Sequence, residues 1–200
     1  MKFPKVSWRA FCGRNFHTVF FSVLLLPGLT GCGTLKPADF SKSSAQFKPD
    51  EYFLGHVRSW GVFENRRGEP SSRFTTESVG TKDEAGNMTI IQTFTHDDGR
   101  RQERIWKVRR LDEHHFEGTA NDVVGIARGV AYGNAFRWKY TIALKPGNPL
   151  ANVHLKQWMY LPEGAQKMFT RVVVTKFGLI VGEVSESFER IPAAADGGSK

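Results

Sequence analysis

The chain has 200 residues, two cysteines and a formal net charge of +8. Basic and acidic side chains are interspersed along it, which is typical of a solvated surface and argues against a nucleic-acid-binding protein. Two cysteines are too few for a disulfide framework or for a zinc site built from cysteine pairs.

The first 31 residues are typical of a secretory signal peptide. An apolar run at 16–26 is about half as long as a membrane-spanning helix, and Pro27-Gly28 ends it. All four charged residues before this run are basic: Lys2, Lys5, Arg9 and Arg14. We therefore predict a signal helix at 1–31 that is removed on export, which takes the net charge from +8 to +4.

A cysteine follows the signal. The sequence Leu29-Thr30-Gly31-Cys32 resembles the lipobox, the cleavage motif of bacterial lipoprotein precursors. In such proteins the cysteine sulfur receives a diacylglyceryl group, the signal is cut before the cysteine, and the new amino group is acylated. The resemblance implies a membrane anchor of two or three acyl chains, such as palmitate, at Cys32, and two suffice for stable anchoring. The alternatives are a core strand or an uncut signal anchor.

The residue after the cysteine bears on location. By resemblance to enterobacterial lipoproteins, in which an Asp here favours the inner membrane, Gly33 favours the inner leaflet of the outer membrane, facing the periplasm. The alternative location is the periplasmic face of the inner membrane. Cys12 leaves with the signal and Cys32 carries the lipid, so no thiol remains for a disulfide or a nucleophile.

The rest of the chain divides into three parts. Residues 32–50 hold two prolines and several serines without periodicity, which predicts a flexible tether behind the lipidated cysteine. Residues 51–191 are predicted to form one β-barrel domain. Residues 192–200, PAAADGGSK, are predicted to be a disordered tail.

The sequence of residues 51–191 predicts a series of short strands. At 135–145 apolar and mostly polar residues alternate with a period of two, and Gly133-Asn134 before them predicts a hairpin turn. Gly125, Gly129 and Gly133 would share one face of a helix, but a bent strand is the favoured interpretation. Turn signals separate ten predicted strands: 52–63, 72–80, 88–96, 102–110, 114–121, 123–132, 135–145, 151–160, 166–176 and 179–190.

Strands of this number and spacing must hide their edges. Closing into an antiparallel barrel removes every edge, and even spacing favours an up-and-down order over a sandwich. We therefore predict an all-β fold, a single up-and-down barrel of about 8–10 strands. Such a barrel has an interior that side chains fill or that holds one small ligand.

From Tyr52 to Arg190 the chain resembles a family of bacterial lipoproteins described as a domain of unknown function. The residues that carry the resemblance are DDG at 97–99, Arg104 with Trp106, DVVGIARGVAYGNAFRWKY at 122–140, WMY at 158–160 and KFGLIVGE at 176–183. The resemblance implies a lipoprotein with a lipocalin-like barrel and no settled activity. Members are often associated with fatty-acid-modifying enzymes, which points to lipid.

Common catalytic motifs do not occur in the sequence. His96, Asp97 and Asp98 could supply metal ligands only if the turn curled, because neighbouring strand residues point to opposite faces. Asp98-Gly99 is also an ordinary hairpin turn. We therefore predict a turn here, with no metal and no cofactor, and a solvent-facing His114-His115 pair.

Arg104 and Trp106 lie two residues apart, on one face of a strand. If that face points inward, the guanidinium could hold a carboxylate or phosphate, with Asp122 as its charge partner. The alternatives are a structural ion pair at the barrel end or a catalytic acid–base pair. Aromatic residues on two later strands would form the core or a ligand wall: Phe136, Trp138, Tyr140 and Trp158.

These observations predict a membrane-anchored binding protein whose barrel carries a small apolar ligand such as a fatty acid. One alternative is a structural or interaction lipoprotein of the envelope with a filled barrel and no ligand. The least favoured alternative is an enzyme that acts on lipids, because the sequence does not show converging polar residues.

Overall fold

The computed structural model describes residues 34–192, which hold ten antiparallel strands closed into a barrel. Each strand pairs with the next in sequence, and β10 pairs with β1. The strands are β1 Gly55–Asn65, β2 Pro70–Lys82, β3 Met88–His96, β4 Arg101–Arg110, β5 His115–Ala120, β6 Ala127–Tyr132, β7 Ala135–Ala143, β8 Asn152–Tyr160, β9 Lys167–Lys176 and β10 Leu179–Ile191. The predicted all-β, up-and-down barrel is confirmed.

In the described part of the chain three short helices accompany the strands: a 3-10 helix at Pro37–Phe40, the α-helix α1 at Pro49–Tyr52, and a 3-10 helix at Pro149–Ala151. Within residues 34–192 no helix has the length and apolar character needed to cross a membrane. The predicted signal helix, Cys32 and the tail beyond Pro192 lie outside the described residues.

Two predicted strands begin too early. The first was predicted from residue 52, but α1 occupies that position and the strand begins at Gly55, whose φ of +84° suits only glycine well. The sixth was predicted from residue 123, but 121–126 is a loop, with one isolated bridge between Val123 and Ile142. Gly125 turns this loop with a φ of +70°.

The segment before β1 covers one end of the barrel, here called the closed end. Phe47 and Phe53 are buried there, and the Phe47 amide donates to the Gly133 carbonyl at 2.7 Å. The Tyr52 hydroxyl lies 3.0 Å from the carbonyl oxygen of Gln166. Residues 37–50, which the sequence assigns to a flexible tether, thus form part of the packed barrel unit.

The other end of the barrel, here called the open end, has no such cover among residues 34–192. Five connections meet there, because every second hairpin of a meander lies at the same end. They are 66–69, 97–100, 121–126, 144–151 and 177–178. Side chains of the inner surface near this end, such as Phe74 and Phe94, remain partly exposed.

Small residues in β6 make room for the large rings of β7. Ala127, Gly129 and Ala131 face inward, and a Cβ placed on Gly129 would lie 2.4 Å from the Trp138 ring and 2.5 Å from the Phe136 ring. A side chain at this position would displace the aromatic wall of the barrel. The described core clusters are drawn from residues 47–188, and residues 35–200 form one compact unit, so residues 34–200 are a suitable segment for expression as a separate protein.

Candidate ligand-binding site

The barrel encloses a cavity of about 240 Å³. Its wall is mainly apolar. Seven strands, β2 to β4 and β7 to β10, contribute inward side chains to it, and most of these are hydrophobic or aromatic. The polar side chains that line it are Asp50, Gln92, His96, Gln102, Arg104, Gln157 and Glu186. An apolar cavity with a few converging polar groups is the usual form of a small-molecule site.

Arg104 and Asp122 form a bidentate ion pair at the edge of the cavity. Nε of Arg104 lies 2.8 Å from one Asp122 carboxylate oxygen, and Nη2 lies 2.7 Å from the other. Both side chains are largely buried, with 12% and 15% of their surface exposed. β4 supplies the arginine and the loop after β5 supplies the aspartate, so this contact also fastens loop 121–126 across the open end.

The guanidinium of Arg104 is surrounded by aromatic rings. Its Cζ lies 5.3 Å from the Phe94 ring centre, 5.9 Å from that of Trp106 and 6.0 Å from that of Tyr140. Ring faces attract a cation, so they hold the group in place inside the barrel. Asp122 is held by Nε and Nη2 of Arg104, so Nη1 is not used in this ion pair, and the arginine also lines the cavity.

A second carboxyl group, Glu186, lies inside the barrel on β10. Ser59 donates a hydrogen bond of 2.5 Å to Oε1 of Glu186. The part of Glu186 that the protein leaves uncovered faces the cavity. Burial raises the pKa of Glu186 to about 7, because the barrel solvates a carboxylate poorly, although the Ser59 hydrogen bond and the charge of Arg104 act in the opposite direction. Near neutral pH this group can both give and take a proton.

Neutral polar groups complete the inner surface. The Tyr140 hydroxyl donates to Oε1 of Gln157 at 3.3 Å, and Nε2 of Gln157 donates to Thr170 at the same distance. The indole nitrogen of Trp106 donates to Gln92 at 3.0 Å. Burial raises the pKa of Tyr140 to about 12, so its hydroxyl stays protonated as a donor.

The structure places most of the predicted site residues at this cavity. Arg104, Trp106, Phe136, Trp138 and Tyr140 line it, and Asp122 is paired with Arg104. Cys32 lies outside the described residues.

Trp158 was placed wrongly in the predicted site. In β8 the inward positions are Gln157 and Met159, so Trp158 points to the outer surface. There it stacks on Tyr160, with ring centres 5.9 Å apart, and packs against Phe40 of the N-terminal segment. The predicted alternation of inward and outward residues in β8 is present, but the prediction put the wrong set of residues on the inner face.

Sequence reasoning missed Glu186. Val184 lies two residues before it and Phe188 two residues after it, so a period of two places all three side chains on the inner face of β10. A charged residue within an inward apolar series was the signal that could have identified it. His96 was considered only as a metal ligand, but it lines the cavity, and its buried Nδ1 has no hydrogen-bond partner among the described residues.

The predicted turn at Asp98-Gly99 is present, with a φ of +83° at Gly99 and a hydrogen bond of 3.0 Å from its amide to the carbonyl of His96. Asp98 is held by Arg100 at 2.6 Å. His114 does not face solvent freely, because it stacks on Tyr132 with ring centres 3.8 Å apart. Within residues 34–192, His, Cys, Asp and Glu side chains form no group of three that could hold a metal ion.

Residues 26–190 match a family described as "Protein of unknown function (DUF3833)". The chain belongs to the DUF3833 family. A comparison of this DUF3833 protein with curated proteins found no match.

Solved structures share the barrel fold at low sequence identity. Rv2717c from M. tuberculosis is 14% identical, with a TM-score of 0.55, and the match covers 73% of this chain and 99% of that one. The S-type phycobiliprotein lyase CPES from Guillardia theta is 6% identical, with a TM-score of 0.52 and coverages of 72% and 91%. These likenesses extend to the fold alone.

A protein of unknown function from the DUF3598 family of Nostoc punctiforme is also similar. It is 14% identical, with a TM-score of 0.50, and the match covers 74% of this chain. The matched part is 50% of the Nostoc chain, so the DUF3833 protein spans half the length of that relative.

Proposed function

We propose that this DUF3833 protein binds a small apolar molecule with an acidic head group, such as a fatty acid, inside its barrel. The observation that carries this proposal is the cavity of about 240 Å³ with Arg104 and Glu186 on its wall. The apolar surface would take the hydrocarbon part, since burial of each methylene is worth about 0.8 kcal/mol.

The polar groups suit a carboxylate head. Arg104 lines the cavity and does not use Nη1 to hold Asp122, and Glu186, when protonated, is a second donor on the same wall. Nδ1 of His96 is a further buried polar atom without a partner among residues 34–192. A ligand head group that paired with these atoms would remove the cost of leaving them unsatisfied.

The size of the cavity limits the ligand. It exceeds the ~150 Å³ cavity that admits benzene, but it is smaller than the ~300–1,000 Å³ of sites for drug-sized molecules. A fatty acid of medium length is therefore the best match, and the tail of a longer acid would have to emerge at the open end. A cavity of this size also argues against the alternative in which side chains fill the barrel and no ligand binds.

The test is analysis of what the barrel carries. Residues 34–200 are purified without detergent and analysed intact by native mass spectrometry and, after solvent extraction, by lipid mass spectrometry. We expect a fraction of the protein to carry one acidic lipid per chain. A protein that carries nothing and does not take up added medium-chain fatty acids would contradict the proposal and favour the envelope protein with a structural or interaction role.

We further propose that acyl chains at Cys32 anchor the protein in the cell envelope, with the barrel in the periplasm and the outer membrane as the favoured site. The lipobox resemblance at residues 29–32 supports this. The test is membrane fractionation of the full chain and of its C32S variant, combined with metabolic labelling by a palmitate analogue. We expect label and membrane association only with Cys32. Equal membrane association of both chains, without label, would contradict the anchor.

A further inference from the structure

The open end of the barrel carries an unusual number of exposed apolar side chains. Of the 15 large hydrophobic residues that are exposed within residues 34–192, eight lie in or beside three connections of this end. They are Val124 and Ile126 in loop 121–126, Leu144 and Leu150 in loop 144–151, and Phe177, Leu179, Ile180 and Val181 around the β9–β10 turn. We call this set the apolar rim.

The three connections are neighbours around the barrel mouth. The amide of Val124 donates to the carbonyl of Thr141 at 2.8 Å, which joins the first loop to the end of β7. Thr175 at the end of β9 pairs with His154 in β8, which joins the third connection to the second. The three connections that carry the apolar rim therefore lie side by side on one side of the opening. Contiguous exposed apolar surface marks a binding surface on most soluble proteins.

One residue of the apolar rim, Phe177, has a backbone conformation that is unfavourable for a bulky side chain. Phe177 and Gly178 form the two-residue turn between β9 and β10, and both have positive φ angles, +50° and +78°. Such a turn favours Asn-Gly, and a bulky residue in the left-handed region costs about 1 kcal/mol. The Lys176 ammonium lies 5.6 Å from the centre of the Phe177 ring, but the residue is still 74% exposed. An external apolar partner would bury the ring and compensate this cost.

The charged residues next to the apolar rim indicate which kind of partner it binds. Residues 143–151 contain Lys145 and residues 175–182 contain Lys176, and neither segment contains an acidic residue. The only carboxylate of loop 121–126, that of Asp122, is neutralised by Arg104. Exposed apolar side chains next to lysines suit an anionic lipid surface. The apolar side chains enter the interfacial region of the bilayer, and the lysine ammonium groups pair with the lipid phosphates.

We propose that the apolar rim docks the open end of the barrel onto an anionic phospholipid bilayer. The docked mouth would place the cavity opening at the bilayer surface, where an apolar molecule could pass without crossing water. This docking goes beyond the proposed function and needs neither the acyl anchor nor a particular ligand. Its failure therefore leaves uptake of fatty acid by the cavity intact.

The experiment measures partitioning of residues 34–200 into sedimented vesicles made of phosphatidylcholine alone, or of phosphatidylcholine and phosphatidylglycerol in equal parts. We expect binding to the mixed vesicles that weakens in high salt and with K145E/K176E. F177N should weaken partitioning about tenfold, because the interfacial burial of one phenyl ring is lost. L150S, in a different loop, should act in the same direction.

The controls separate docking from folding and from self-association. Asn suits the turn better than Phe, so F177N should melt at the same temperature as the parent or higher. F169T is the matched control, because Phe169 is 54% exposed on the outer wall of β9 near the closed end. The proposal is overturned if the parent does not bind mixed vesicles, or if F177N and L150S bind as the parent does. It is also overturned if F169T weakens binding equally, or if the rim variants abolish a dimer in solution and leave vesicle binding unchanged.

Discussion

Arg104 of β4 and Asp122 of the loop after β5 form a bidentate ion pair at the edge of the barrel cavity, with hydrogen bonds of 2.7 Å from Nη2 and 2.8 and 3.0 Å from Nε. The aspartate compensates the charge of the arginine, and the aromatic rings around the guanidinium fix its position. The ion pair and the ring contacts therefore offset part of the desolvation cost of holding a charged donor beside an apolar cavity.

We expect this pair to behave as a unit in unfolding experiments. R104M and D122N each leave one largely buried charge without its partner, and each should lower the free energy of unfolding by about 3 kcal/mol. The double variant R104M/D122N should lose less than the sum, because no unpaired charge remains. Urea denaturation of residues 34–200 measures all four proteins. Additive losses would show that the two side chains are not coupled.

Glu186 should make stability fall as pH rises. Its pKa is about 7 in the folded protein and about 4.5 when unfolded, so between these values the folded state holds a proton that the unfolded state has lost. Proton uptake by the folded state stabilises it below this window, and the advantage is lost as pH rises through 7. The E186Q variant cannot titrate, so its free energy of unfolding relative to the parent should rise by about 2 to 3 kcal/mol from pH 4.5 to pH 8.

The measurement is urea denaturation of both proteins at several pH values. Other titrating groups contribute equally to parent and variant and cancel in the difference. E183Q, on the outer face of the same strand, is the control, since Glu183 is held by Arg171 at the surface. A difference between E186Q and the parent that stays constant with pH would show that Glu186 is ionised like a surface carboxyl.

We expect that any side chain at position 129 destabilises the barrel as long as Phe136 and Trp138 occupy β7. The added methyl group of G129A would meet the Phe136 and Trp138 rings at about 2.5 Å, an overlap that costs about 1–3 kcal/mol. Replacing Phe136 by Leu in the same chain should recover part of this loss, since the smaller side chain vacates the contact. Thermal melting measures the four proteins. A G129A protein as stable as the parent would contradict the tight approach of β6 and β7.

The closed end should depend on Phe53 and not on its neighbour. Phe53 is 6% exposed and packs edge-on against Phe188 with ring centres 5.7 Å apart, so F53A should cost about 3–5 kcal/mol. The matched control is L54A, because Leu54 is 41% exposed. Limited proteolysis should leave residues 37–53 intact in the parent and cut them in F53A. Rapid cutting in the parent would indicate that this segment is the flexible tether that the sequence predicts.

The sequence could predict the barrel because strand signals are local. Alternation with a period of two, and turns such as Gly133-Asn134 and Asp98-Gly99, can each be recognised within a few consecutive residues. Eight of the ten predicted strands have both their start and their end within two residues of the observed ones. The packed segment at 37–53 could not be predicted in this way. Its contacts, to Gly133 and Gln166, join residues far apart in the sequence.

The site was predictable only in part. Arg104 and Asp122 could be paired in advance because a buried cation needs an anion. Trp158 was misplaced because periodicity groups residues by face without saying which face is buried, and in β8 the polar Gln157 lies inside while the indole lies outside. Ser59 of β1 and Glu186 of β10 meet only because the last strand closes onto the first.

The most direct test of the account is the affinity of residues 34–200 for a medium-chain fatty acid, measured by calorimetry with the parent and with V184F. Val184 lines the cavity, and a phenyl ring there would occupy the space that we assign to the hydrocarbon chain. S185F adds the same ring to the exposed side of β10 and serves as control. We predict one binding site in the parent and in S185F and a loss of at least tenfold in V184F. Equal affinities of parent and V184F, or no binding to the parent, would contradict a ligand inside the barrel.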